Sequence, residues 1–308
     1  MLRITALNFM PAVLMYNNTL RSSAIVFLVL LASDTFIEKT LFYYKWNYTK
    51  KVKGICVNIE ILENERIDDL QYKGLRLIQK VDGFCFGVDA VLLANYADIK
   101  QGDQVIDLGT GTGIIPVLLA GKTQAGKVIG LEIQKDMAEM AARSVMLNDL
   151  QQRVQIENGD IKKSIELFGA SKFDAVLTNP PYMQTNGGLV NPSDTKAISR
   201  HEILCTLEDI IKASSRLLKP GGRFHMIHRP DRLVDIIFLM RTFGIEPKYI
   251  RFVHPSPYKK ANLLLIKGTR GGNPQLKMEP PLYVYDENGN YSDEINKIYS
   301  RQAVDKDC

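Results

Sequence analysis

Histidine and cysteine are scarce in this chain. Its 308 residues contain four of each, and the cysteines, Cys56, Cys85, Cys205 and Cys308, stand far apart with no close Cys or His pair. That spacing excludes a zinc-ligand pattern and a disulfide framework, and reads as reduced thiols in a cytosolic protein. Long apolar runs are also missing. The longest, residues 24–32 (AIVFLVLLA), has nine residues, well short of the ~20 a membrane-spanning helix needs. With Arg21 ahead of it and Ala32-Ser33 behind, it could form the apolar part of a secretory signal, or belong to a small extra hairpin. Charge of one sign is lacking too. Lys plus Arg number 39 and Asp plus Glu 34, and four of the five net positive charges fall within the first 60 residues. The total therefore assigns no nucleic-acid partner. No repeat or low-complexity tract is present, and 45% hydrophobic with 24% charged residues is the composition of a soluble globular protein.

What is present begins in earnest near Leu62. The first 61 residues read as an extension or a misplaced start, with the only tryptophan, Trp46, in an aromatic cluster and a basic run at Lys50-Lys51-Val52-Lys53. The stretch from Leu62 (LENERIDDL) is charged and helix-compatible, a lead-in to one domain over residues 62–308. Further on, branched and aromatic runs at residues 104–108, 127–133, 154–158, 173–178 and 222–228 read as buried strands. Between them, residues 114–120, 134–148, 161–168 and 207–218 have helical length and spacing. That alternation predicts right-handed crossovers and a parallel sheet with helices on both faces. Residues 230–243 read as a further helix, and strands at 248–254 and 262–267 as an antiparallel hairpin at the sheet edge.

The first of these strands runs into Asp107-Leu108-Gly109-Thr110-Gly111-Thr112-Gly113. Glycines there permit a tight turn and close backbone approach to a ligand beside a helix N-terminus. A dinucleotide loop places its third glycine five positions after the first, whereas position 114 is Ile and the third glycine is Gly113. A bare strand-to-helix turn is the alternative reading. Glu132 ends the second strand, where a carboxylate can accept both hydroxyl hydrogens of a ribose. After the fourth strand comes Asn179-Pro180-Pro181-Tyr182, at a strand end where ligands bind in open α/β sheets. Two prolines fix the backbone and remove amide donors, leaving carbonyl oxygens to accept. The alternative is a strand stop with an Asx turn.

Together, the DLGTGTG loop, Glu132, Asp160 in Asn158-Gly159-Asp160-Ile161, and the Asn-Pro-Pro-Tyr sequence resemble the class I S-adenosylmethionine-dependent methyltransferases. The resemblance implies a Rossmann-like fold with a mostly parallel seven-stranded sheet. It also implies a cofactor, S-adenosylmethionine, with its methionine part over Gly109, Gly111 and Gly113 near Asp107, its ribose at Glu132 and its adenine at Asp160. Asp160 equally suits the N-cap of the helix from Ile161. Asn179, Pro180, Pro181 and Tyr182 carry over as the signature of methylation on exocyclic or amide nitrogen. Asn179 and the Pro180 carbonyl can accept both hydrogens of a planar NH₂ group and free its lone pair, while Tyr182 stacks on the substrate.

Residues 81–94 (VDGFCFGVDAVLLA), Ala197-Ile198-Ser199-Arg200-His201-Glu202 and the ending at residues 280–285 are similar to bacterial tRNA adenine N6-methyltransferases acting beside the anticodon of a valine tRNA. Asp89 is thereby placed among the cofactor-binding residues, although it also reads as the cap of a helix from Ala90; Phe84 and Phe86 equally suit core packing. Residues 183–199 read as a loop that orders over an extruded base. Arg200, His201, Lys259 and Lys260 are the candidates for RNA contact. The last two belong to a basic and aromatic stripe with Lys248, Tyr249, Arg251, His254, Tyr258, Lys267 and Arg270. The expected partner is the anticodon loop of a tRNA, with no metal, no membrane, and a monomer or weak dimer. Protein glutamine methylation uses the same tetrapeptide, but its helical recognition domain would not fit in residues 62–97. A non-catalytic RNA-binding scaffold is the remaining alternative.

Overall fold

The computed structural model describes residues 46–52, 55–81, 87–181 and 205–299, with side chains from residue 59 onward. The chain divides into units Met1–Phe42 and Tyr43–Cys308; only the second contains described residues. The catalytic candidate Tyr182, the RNA candidates Arg200 and His201, the aromatics Phe84 and Phe86, and the expected loop at 183–199 lie outside them.

The organised unit starts earlier than Leu62. Strands β1 (Trp46–Val52) and β2 (Ile55–Ile61) pair antiparallel, and Ile59 and Ile61 are buried with Ile78, Met140 and Leu147. The charged stretch after Leu62 is no helix either. Glu65–Asp69 forms β3, antiparallel to β4 (Arg76–Lys80). Its charges mislead because tertiary partners take them up: Arg143 reaches Glu65 in a two-pronged ion pair at 2.6 Å and also donates to the Glu60 carbonyl. Such context overrides local propensity. Next comes α1 (Val88–Tyr96).

The central sheet follows the predicted alternation. Parallel strands β5 (Gln104–Leu108), β6 (Lys127–Glu132), β7 (Val154–Asn158), β8 (Phe173–Thr178) and β9 (Leu218–His228) are joined by α2 (Ile114–Lys122), α3 (Lys135–Leu147), α4 (Ser164–Phe168, after a short 3₁₀ turn) and α5 (Leu207–Leu217). After α6 (Leu233–Thr242), β10 (Ile245–His254) and β11 (Leu263–Arg270) form the expected antiparallel hairpin. It is β11 that pairs with β9, so the later strand is inserted between β9 and β10. Two-residue strands β12 (Lys277–Met278) and β13 (Leu282–Tyr283) add to β10, and α7 (Asp293–Ile298) follows. Seven long strands thus run β7-β6-β5-β8-β9-β11-β10.

Alternation along the strands sorts the core onto two faces. Val105, Ala175, Leu177, Ile227 and Leu265 join α1 and α2 on one side. Ile106, Leu108, Val176, Phe224, Met226 and Ile266 join α5 and α6 on the other. Strand order reverses at β5, whose neighbours β6 and β8 receive crossovers in opposite directions. A crevice opens at the carboxyl ends of strands at such a switch point.

Candidate active site

The glycine loop fills that crevice between β5 and α2. Gly109, Gly111 and Gly113 have φ values of 76, 57 and 82°, the left-handed region that side chains other than glycine's resist. At Gly111 a Cβ would meet nothing within 4 Å, so the backbone lies open to a ligand, whereas at Gly113 it would stand 3.0 Å from the Ala141 Cβ, on α3. Gly109 and Thr110 both donate to the Leu131 carbonyl at the end of β6. Gly130 explains how the loop lies so close to that strand. A Cβ there would be 2.9 Å from the Thr110 side chain, a role that an isolated strand glycine signals only as close backbone approach.

Glu132 organises the loop from below. It is 4% exposed; its Oε2 accepts from the Gly111 amide at 2.9 Å and its Oε1 from the Gln134 amide at 3.0 Å. Asn158 donates to the Glu132 and Ile133 carbonyls and fixes the turn beneath it. Asp160 caps the 3₁₀ turn by accepting from the Lys162 amide at 2.9 Å. It lies two residues past Asn158, which pairs with Glu132.

Asp107 is the group most in need of a ligand. It is fully buried, and neither carboxylate oxygen has a hydrogen-bond partner among the described residues. Burial pushes its carboxyl up to about 7; the neighbouring Thr110 hydroxyl works against that rise, and the Glu132 carboxylate adds to it. An unmatched buried carboxyl is costly, and a cationic or N–H-bearing group in the crevice would relieve the cost. These acceptor carboxylates and the open glycine backbone therefore suit the ammonium, ribose and backbone-facing edges of S-adenosylmethionine.

Asn179 and Pro180 follow directly on β8, whose Thr178 hydroxyl donates to the Leu108 carbonyl at 3.0 Å and ties it to the start of the glycine loop. Asn179 is half-buried, Pro180 buried and Pro181 exposed. The Asn179 amide nitrogen donates to Asp89 Oδ2 at 3.1 Å. Asp89 does not cap a helix from Ala90. Helix α1 starts one residue before it, with Gly87 at the cap position, and Asp89 lies in the first turn, where its Oδ1 accepts from the Ala90 amide. Its contact with Asn179 spans 90 residues, beyond the reach of any local pattern.

The basic stripe does not hold together as one surface. Lys248 donates to the Asn273 carbonyl and Arg270 to the Leu218 carbonyl, at the end of the sheet remote from the glycine loop. Arg251 is engaged by Glu294 and the Pro280 carbonyl. Lys267 is drawn over the Tyr96 ring, 3.9 Å from its centroid. These side chains are long enough to find carbonyls, carboxylates and rings at hand, so a charge run need not be a free charged face. Tyr258, Lys259 and Lys260 remain at the same end as Asn179, on the turn between β10 and β11, beside His254 at the end of β10, whose Nδ1 pairs with the Lys259 carbonyl. Lys260 lines an open cavity of about 570 Å³ with Arg229, Pro230, Asp231 and Asn262. Among the described residues no cluster of metal-ligating side chains occurs, and no helix is long and apolar enough to cross a membrane.

Comparison with known proteins agrees with this geometry. A family described as "Methyltransferase domain" matches residues 99–240. The tRNA1(Val) (adenine(37)-N6)-methyltransferase of Porphyromonas gingivalis is 31% identical over 221 residues, 69% of this chain and 86% of that protein. The protein of the same name from Aeromonas hydrophila is 25% identical over 70% of this chain and 88% of its own. In fold, the chain is similar to a predicted O-methyltransferase from Agrobacterium tumefaciens, with a TM-score of 0.58, 23% identity, and coverage of 70% of this chain and 97% of that one. With about a third of positions shared across most of the Porphyromonas relative, and a crevice suited to the cofactor, the chain belongs to that relative's family of S-adenosylmethionine-dependent methyltransferases.

Proposed function

We propose that this methyltransferase modifies the exocyclic N6 amine of an adenosine in tRNA, beside the anticodon of a valine tRNA. The observation that carries the reading is Asn179-Pro180-Pro181 at the end of β8, next to the glycine loop across the β5–β8 pair. The names of the relatives supply the substrate class. When bound, S-adenosylmethionine supplies an electrophilic methyl group on a sulfonium. Gly109, Gly111 and Gly113 would admit it against the backbone, Asp107 would take its ammonium, Glu132 its ribose hydroxyls, and Asp160 its adenine.

Asn179 Oδ1 and the Pro180 carbonyl accept the two hydrogens of the target amine. That drains the nitrogen of its planar conjugation and turns its lone pair toward the methyl carbon. Held in this way, the amine would face a methyl group presented over the glycine loop, and its surplus proton would pass to water. Orientation and electrostatics do this work without a shifted base. Pro181 holds the turn, and Tyr182 stacks on the adenine. Lys259 and Lys260, with Arg200 and His201, hold the RNA phosphates while the base is flipped out, which costs a few kcal/mol and least where the base is unpaired.

The test is methyl transfer from labelled S-adenosylmethionine to total tRNA of cells lacking the gene. Label in tRNA, and its loss in Asn179→Ala with cofactor affinity nearly unchanged, is the expected result. Label in protein glutamine instead of RNA would overturn the reading.

A further inference from the structure

An asparagine that accepts hydrogens from an amine must present its oxygen, yet its side chain carries an acceptor and a donor end of nearly equal shape. Turned over, it would set NH₂ against NH₂ and stall the reaction. Something must therefore decide which end faces the substrate. Asp89 is placed to do so: its carboxylate accepts the Asn179 amide nitrogen through Oδ2 at 3.1 Å. An ionised carboxylate can only accept, so this contact selects the NH₂ end and directs Oδ1 away from Asp89.

The carboxylate is itself held in place. Its Oδ1 accepts from the Ala90 amide at 3.0 Å in the first turn of α1, and Asp89 is 9% exposed. A second observation comes from Gly87. Its φ is an ordinary −88°, so backbone conformation does not call for glycine there. A Cβ at Gly87 would stand 2.5 Å from Asp89 Oδ1 and 3.2 Å from its carboxyl carbon. Glycine at this position leaves room for the carboxylate to lie back over the helix start, toward β8.

We propose that Asp89 is a positioning residue that sets the orientation of the Asn179 amide, with Gly87 making the space it occupies. This moves Asp89 from the cofactor set to the catalytic amide, and it rests on the reading of Asn179 as the acceptor of an amine. Asp89→Ala then leaves the dissociation constant for S-adenosylmethionine nearly unchanged and lowers kcat on tRNA by roughly 10–100-fold, by analogy with the loss of residues that orient metal ligands. Gly87→Ala has the same signature with Asp89 intact. Asp89→Asn, whose oxygen can still accept, recovers part of kcat.

Wild-type turnover on tRNA is measured first; its absence overturns both the reading and the proposal. With an active wild type, three results would overturn the proposal alone: kcat unchanged in Asp89→Ala; weakened cofactor binding that accounts for the whole loss; or kcat reduced equally in Asp89→Ala and Asp89→Asn. Thermal melting of each variant separates these effects from a folding defect. A melting temperature that falls in step with kcat across the three variants also counts against positioning.

Discussion

Two carboxylates below the glycine loop carry opposite burdens. Glu132 already accepts two backbone amides, so Glu132→Ala removes both a ribose acceptor and the prop of the loop. A rise of 10-fold or more in the dissociation constant for S-adenosylmethionine is expected, each tenfold being about 1.4 kcal/mol; calorimetric titration would measure it, and an unchanged constant would remove Glu132 from the site. Asp107 has no such partners. Its carboxyl is raised to about 7 from an ordinary 3.8, so between those values the folded chain holds a proton that the unfolded chain has released. Without cofactor, stability contributed by this group is therefore lost as pH rises from about 4 through about 7. Asp107→Asn should raise the melting temperature of the cofactor-free protein at pH 8 more than at pH 5, while weakening cofactor binding; an equal effect at both pH values would contradict the assignment. At this scale what could be read from residue type and strand pattern was position: Glu132 and Asn179 stand at the ends of β6 and β8, where they were expected. Asp89 reads from the sequence as a cofactor-binding residue or a helix cap, because its partner Asn179 lies 90 residues away, and the space for Thr110 beside Gly130 depends on strand packing that no local pattern encodes.

Elements buried on both sides were the most legible. Strands β5 and β8 match their expected bounds because mostly branched and aliphatic runs leave little choice of conformation, while the edge strand β7 shows itself by its alternation Val154, Ile156 against Gln155, Glu157. The hairpins before α1 were not legible. LENERIDDL shows no clean alternation, since β3 is stabilised by the Arg143–Glu65 pair rather than by an apolar face. With side chains 10% and 2% exposed, this pair is buried, and its loss from one side should be expensive. Arg143→Met leaves the buried Glu65 without its ion-pair partner, held only by the Leu62 amide at 3.0 Å, and should cost about 3–5 kcal/mol in urea unfolding. The double variant Arg143→Met/Glu65→Leu should recover much of that cost, and failure to recover would mean that the Glu60 carbonyl contact dominates. Arg143 lies on α3, which also carries Ala141 against Gly113, so the hairpin and the cofactor loop share one support.

For the molecule as a whole, sheet topology places the chemistry. The strand-order reversal at β5 gathers Asp107, Glu132 and Asn179 at one end, and the β10–β11 turn brings Lys259 and Lys260 to that same end. Net charge pointed nowhere, and the linear basic stripe overstated the RNA face because four of its six lysines and arginines are engaged within the protein. A Lys259→Glu/Lys260→Glu variant should raise KM for tRNA and flatten its salt dependence, with kcat little changed; a loss confined to kcat would place these lysines elsewhere in the reaction. The most direct test of the account is nucleoside mass spectrometry of valine tRNA from cells lacking the gene, after incubation with the purified protein and S-adenosylmethionine. N6-methyladenosine should appear with wild type and be absent with Asn179→Ala, whereas an unmethylated adenosine, or a methyl group on another atom, would contradict it.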